Sequence, residues 1–132
     1  MAIMIAFNHP TISMSEDVVR PTYAEINLDR LTANYQAVEK FVAPAKVMAV
    51  LKANAYGHGL VQVARHMVEL DAPYLGVAVL EEGILLRQAG ITTPILVMGG
   101  ILGNQVPIFL KHDLTLTASS VEKLQQIDDA AA

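Results

Sequence analysis

Short apolar runs alternate with amphipathic helical segments along most of this chain, and this alternation limits its possible folds more than any other feature. The runs lack polar alternation, which favours strands buried on both faces. Strands and helices that alternate in this way form a parallel sheet with crossover helices. The predicted strands are 46–51, 74–79, 94–98 and 113–117. The predicted helices are 60–70, 80–89 and 103–111, of which the last is only weakly predicted because it contains Pro107. One more helix is predicted near the end of the chain, with Ser119 or Ser120 as its N-cap.

The segment before the first buried run predicts one more strand and one more helix. Residues 23–28 alternate loosely, and apolar residues then recur at helical spacing up to Val42, before Pro44. Asp29 is the expected N-cap of this helix. Residues 1–20 show no sustained period, so we expect them to be a loosely held N-terminal extension.

Four strand–helix units are half of an eight-stranded barrel, which needs about 250 residues, whereas this chain has 132. The expected fold is therefore α/β, with parallel (β/α) units that form an incomplete TIM-type (β/α)8 barrel. An open four-stranded sheet is the alternative. The helical pattern at the end has no closing strand after it, so we expect residues 21–132 to be a truncated, N-terminal half of a barrel domain.

Composition and charge exclude several classes of function. The formal net charge is −4 and there is no cysteine. No basic footprint for nucleic acid or an anionic membrane is present, and thiolate chemistry is excluded. No zinc-binding motif occurs, so no metal site is expected. No apolar run is long enough for a membrane span and no clear secretory signal is seen, so the cytoplasm is the expected compartment.

The sharpest local feature is the segment VLKANAYGHG, residues 50–59, in which Lys52 ends a buried run. Active sites of parallel α/β folds collect at the carboxyl ends of the strands. A lysine that is partly removed from water there can attack a carbonyl and form a Schiff base. Gly57 and Gly59 permit unusual φ values in the following loop. The alternative is a lysine that only reaches solvent beside an ordinary helix entry.

The octapeptide KANAYGHG, residues 52–59, resembles the signature of alanine racemases, enzymes that use pyridoxal 5′-phosphate (PLP). Residues 24–38 and 76–100 resemble the same family, which implies a PLP-binding barrel followed by a C-terminal β domain that this chain lacks. The resemblance implies that Lys52 holds PLP as a Schiff base and is one of two proton-transferring bases. It implies that Tyr56 bonds the cofactor phosphate and that Val50 and Met98 lie against its ring.

The same resemblance implies interconversion of L-alanine and D-alanine in a homodimer, whose second base is a tyrosine of the partner subunit. An arginine from a later strand would contact the pyridine nitrogen. No residue of this chain matches either group, so we expect no turnover by this chain alone. A non-racemising PLP-binding barrel protein and a non-catalytic structural remnant are the alternatives. Other polar residues are expected to be structural: Asn54 fixes loop geometry, and Glu81 and Glu82 complement a helix dipole. His58 is expected to orient the loop or cap the helix, and His66 to be solvated or to take part in helix packing.

Overall fold

The computed structural model describes residues 2–4 and 24–131. Its elements follow the predicted alternation, with the strands shorter than the apolar runs that contain them. The strands are β1 (Ala2–Met4), β2 (Glu25–Asn27), β3 (Met48–Val50), β4 (Tyr74–Val77), β5 (Ile95–Val97) and β6 (Thr115–Leu116). The helices are α1 (Leu28–Val42), α2 (Lys52–Tyr56), α3 (Leu60–Glu69), α4 (Leu80–Gln88), α5 (Val106–Lys111) and α6 (Val121–Ala131), with a 3-10 turn at Gly103–Gln105.

Strands β3 to β6 form one parallel sheet in the order in which they occur along the chain. One row of the sheet runs from Val50 to Gly76, from Gly76 to Leu96 and from Leu96 to Thr115. Each crossover therefore advances by one strand in the same direction, as in a barrel, whereas the order reverses within a doubly wound sheet. The predicted fold class is confirmed: these units are part of a TIM-type barrel.

The two faces of the sheet differ in burial. On one face, Leu75, Val77, Ile95 and Val97 are at most 2% exposed and form the centre of the core. The opposite face is only partly covered by the described residues, and Met48 there is 37% exposed. The expectation that the strands are buried on both faces is therefore met on one face for β4 and β5, and it is wrong for β3 and β6, whose residues are partly or fully exposed within the described part of the chain.

The N-terminal elements are only partly described. Strand β1 pairs antiparallel with β2, so that Ile3 lies opposite Ile26. The rest of the predicted extension, and its predicted boundary at residue 21, lie outside the described residues.

Helix termini correct one sequence-based expectation and confirm another. Helix α1 begins at Leu28, and Asn27 caps it by accepting a hydrogen bond from the Arg30 N–H at 2.9 Å. The prediction of Asp29 as N-cap was wrong, because Asn27 has the extended backbone of a cap and Asp29 is already helical. Ser120 caps α6, as one of the two predicted alternatives, by accepting from the Lys123 N–H at 3.2 Å.

Helices α3 and α5 agree with the predictions from the sequence. Pro107 lies in the first turn of α5, where a missing N–H costs no helical hydrogen bond, so the weakly predicted helix forms. His66 of α3 packs against α1, with its Nε2 atom 2.7 Å from the Thr32 hydroxyl. None of the helices within the described ranges has the length and apolar character of a membrane span.

The guanidinium of Arg87, in the last turn of α4, ties together two loops at the amino-terminal edge of the sheet. It donates to the Ile91 and Thr93 carbonyls before β5 at 2.7 and 2.8 Å. It also donates to the His112 and Asp113 carbonyls before β6 at 3.0 and 2.8 Å. This arginine is therefore occupied at the edge opposite to Lys52.

Candidate active site at the carboxyl edge of the sheet

Lys52 stands immediately beyond the carboxyl end of β3. The ladder between β3 and β4 continues one residue past the strand, since the Leu51 N–H donates to the Gly76 carbonyl at 2.7 Å. Lys52 follows directly and is half-buried. The predicted position of this lysine, at the edge where parallel α/β folds place their active sites, agrees with the structure.

The residues that follow Lys52 in the sequence fold into a left-handed turn. Residues 53–56 all have φ between 51° and 56°, although none of them is glycine. Such a conformation costs roughly 1–2 kcal/mol per residue for L-amino acids. Gly57 and Gly59 also have positive φ, as the sequence suggested, but the four residues before them were not predicted to. Consecutive strained residues of this kind typically occur at functional sites, where the surroundings hold them in place.

Asn54 holds the turn together. Its carbonyl accepts hydrogen bonds from the N–H groups of Gly57 and Gly59 at 3.1 and 3.0 Å. Its side-chain Oδ1 accepts from the Leu60 N–H at 2.8 Å, which caps the start of α3. Asparagine also tolerates the left-handed region better than most residues. The expectation that Asn54 fixes the geometry of this loop is confirmed.

Two more side chains contact the turn. The Nδ1 atom of His58 lies 3.0 Å from the Ala55 carbonyl, so this ring nitrogen is the donor and the imidazole is anchored locally. Glu82 of α4 accepts from the Ala78 N–H at 2.9 Å and, at 3.4 Å, from the Asn54 N–H. The sequence suggested only a helix-dipole role for Glu82, because nothing local indicates a contact 28 residues away.

The remaining predicted site residues lie in two places. Tyr56 is 60% exposed, and with Val50 it lines an open cleft of about 330 Å³ beside the turn. Met98 is not among the residues that line this cleft. It lies just beyond β5, on the sheet face that Val50 shares, and its N–H donates to the Val77 carbonyl at 2.9 Å. Leu96 lies in the row of Val50 and Met98 is two residues further along, so Val50 and Met98 are about 12 Å apart across β4.

The backbone is tightly packed next to Met98. The Gly99 N–H donates to the Ala78 carbonyl at 3.0 Å, and a Cβ atom at Gly99 would overlap that carbonyl oxygen. At Gly100 a Cβ atom would meet nothing within 4 Å. The need for glycine at the first of these positions arises from close approach between strands, which a Gly-Gly pair in a sequence does not reveal.

Four other tyrosines and arginines of the described chain are either hydrogen-bonded elsewhere or buried. Arg65 donates at 3.4 Å to the Ala89 carbonyl, at the same edge as Arg87. Tyr74 hydrogen-bonds to Thr115 on the open sheet face. Tyr35 is only 7% exposed, and its hydroxyl has no hydrogen-bond partner within the described part of the chain. Burial, and then the nearby Glu39 carboxylate, raise the pKa of Tyr35.

Comparisons with known proteins agree on one family. A family model described as the N-terminal domain of alanine racemase matches residues 26–132. Alanine racemase of Halothermothrix orenii is 40% identical over 120 residues, which are 90% of this chain and 32% of that protein. The crystal structure of alanine racemase from Oenococcus oeni matches with a TM-score of 0.73 and 37% identity, over 78% of this chain and 30% of that chain. Histidine racemase from Leuconostoc mesenteroides matches with a TM-score of 0.73 and 28% identity, over 78% and 28% of the two chains. This chain thus spans about a third of the length of the curated relative.

Proposed function

The chain belongs to the alanine racemase N-terminal domain family, and on that premise we propose that it forms the lysine-bearing part of an alanine racemase. The proposed reaction interconverts L-alanine and D-alanine with PLP as cofactor. The observation that carries this proposal is the position of Lys52, half-buried at the carboxyl edge of the sheet and directly before a constrained left-handed turn.

The residues at this edge fit the chemistry of PLP, an aromatic aldehyde with a phosphate group. Lys52 offers a primary amine for the aldehyde, and the exposed Tyr56 offers a hydroxyl to the phosphate. Val50 and Met98 present apolar side chains on one sheet face, with Gly76 on the strand between them. A flat ring at the position of Gly76 would therefore meet no side chain from β4.

The bound cofactor would supply an electron sink that makes the α-proton of an amino acid acidic. Lys52 would bind the cofactor through its Nζ atom and remove or return the proton on one face of the α-carbon. Tyr56 would orient the phosphate, while Val50 and Met98 would exclude water from one side of the ring. These roles use only groups that lie at the carboxyl edge of the sheet.

Racemisation also needs a base on the opposite face and a cation near the ring nitrogen. Among the described residues, Tyr74, Arg65 and Arg87 are hydrogen-bonded elsewhere, and Tyr35 is buried. We propose that the second base and the cation belong to the rest of a full-length, cytoplasmic homodimer. Residues 21–132 would be the N-terminal half of its PLP-binding barrel domain. The chain by itself would then bind PLP at Lys52 without turning over alanine.

The test is an absorbance scan of the purified chain with PLP, followed by borohydride reduction and peptide mapping. We expect the reduced adduct on Lys52, its loss in Lys52→Ala, and its retention in Lys46→Ala. Lys46 is the matched control, because it lies just before the other end of the same strand. Persistence of the full adduct in Lys52→Ala, mapped to other lysines, would contradict the assignment. Scattered labelling would favour the alternative of a non-catalytic structural chain.

A further inference from the structure

Glu82 makes one contact that is ordinary for the start of a helix and one that reaches a separate turn. It is the third residue of α4, whose N-cap, Val79, has no side-chain capping bond. The carboxylate folds back, and its Oε2 accepts from the Ala78 N–H at 2.9 Å. Its Oε1 faces the Asn54 N–H at 3.4 Å. One side chain thus joins the end of β4 to the turn that follows β3.

The Asn54 N–H is a donor that the turn leaves free for an external partner. The first hydrogen bond within this part of the chain runs from the Ala55 N–H to the Leu51 carbonyl at 2.7 Å. Donors that precede the first bond of a helical turn need partners from outside it. The Glu82 side chain is half-buried, and a carboxylate is a stronger hydrogen-bond acceptor than a neutral group.

We propose that Glu82 is a positioning residue, which ties the left-handed turn to β4 and thereby sets the direction of Lys52. The turn is strained over four residues and begins at the residue after Lys52. Without an anchor on the Asn54 N–H, the turn relaxes toward ordinary backbone conformations and the lysine moves with it. The consequence for Lys52 rests on the proposed function, whereas the anchoring of the turn does not.

The simpler explanation is that Glu82 only stabilises the start of α4. Glu81 provides the matched control for this explanation, because it lies in the same first helical turn and carries the same charge. It is exposed, and its side chain accepts no hydrogen bond within the described residues. A helix-dipole effect would be similar for both residues, but an effect on the turn would be specific to Glu82.

The first experiment measures amide hydrogen exchange in the full chain for Glu82→Gln and Glu81→Gln. In Glu82→Gln we expect exchange to rise about threefold or more at Asn54, Gly57 and Gly59. We expect no such change in Glu81→Gln. Faster exchange at Ala78 alone would overturn the proposal, because Glu82 would then act only on its own helix. Equal effects of the two variants would overturn it as well.

The second experiment follows PLP labelling of the same variants under conditions where circular dichroism shows them folded. The fraction of reduced adduct on Lys52 is expected to fall about threefold in Glu82→Gln and to stay unchanged in Glu81→Gln. Glu82→Asp keeps the charge but is too short to reach both N–H groups, so it should resemble Glu82→Gln. Unchanged labelling despite a loosened turn would refute the effect on Lys52.

The two proposals fail in different ways. If the wild-type chain shows no selective adduct on Lys52, the proposed function is refuted. Hydrogen exchange at Asn54 still decides whether Glu82 anchors the turn.

Discussion

Asn54 allows the sharpest test of the strained turn, because its backbone and side chain contribute separately to stability. In Asn54→Ala the capping bond to the Leu60 N–H is lost, which costs about 1 kcal/mol. Alanine also has to adopt a φ of 56° without the local bonding that helps asparagine, which costs about 1 kcal/mol more. We therefore expect Asn54→Ala to lower the free energy of unfolding by about 2 kcal/mol.

Asn54→Gly separates the two contributions. Glycine loses the same cap but adopts a positive φ without steric cost, so the expected loss is only about 1 kcal/mol. Urea titration with circular dichroism measures both values, provided that the slope m is the same for all variants. For a chain of this size, 1 kcal/mol corresponds to roughly 4 °C in Tm, so the expected decreases are about 8 °C and 4 °C. Equal losses for alanine and glycine would show that the left-handed backbone is not under strain, and a stable alanine variant would refute both contributions.

Three further predictions concern residues outside the turn. Arg87→Met should lower the free energy of unfolding, measured by urea titration, by about 3 kcal/mol, because four carbonyls lose a charged donor. Arg65→Met loses one long bond and should lower it by less than about 0.5 kcal/mol. Similar losses in the two variants would contradict the role of the Arg87 guanidinium. Gly99→Ala should lower Tm by several degrees through its clash with a neighbouring carbonyl, and Gly100→Ala, with open space around it, should not. Burial raises the pKa of Tyr35, so the unfolded chain ionises first and stability falls as pH rises above about 10. Tyr35→Phe should reduce this loss of stability at alkaline pH. Because it removes a buried hydroxyl without a hydrogen-bond partner among the described residues, it should not reduce stability at pH 7. A clear loss of stability at pH 7 would mean that the hydroxyl has a partner.

The order of strands and helices was predictable because it depends on local periodicity. The run 46–51 contains β3 and the run 94–98 contains β5, each with the expected crossover helix after it. The error at Asp29 arose because Asn27 and Asp29 are both good capping residues, and only the position where the backbone turns helical separates them. Pro107 made α5 look weak, since a proline in the first turn of a helix and one in its interior look alike in a short pattern.

The candidate site was predictable only in part. Lys52 was found from its place after an apolar run and from the octapeptide that it begins. Glu82 was missed, because a glutamate in the first turn of a helix is common and its contact with Asn54 spans 28 residues. The left-handed conformation of residues 53–56 was missed as well, since alanine and tyrosine do not indicate positive φ.

The sequence by itself determined the alternation of elements, the family, and the lysine directly after an apolar run, because each of these depends on local periodicity or on one continuous motif. Only the tertiary structure decided which backbone groups the side chains of Glu82 and Arg87 reach, and where Gly99 approaches its neighbouring strand. The physical reason is the same in each case. These contacts join segments that are distant along the chain. Every residue carries a backbone carbonyl, so the residue type does not indicate which backbone groups become partners after folding.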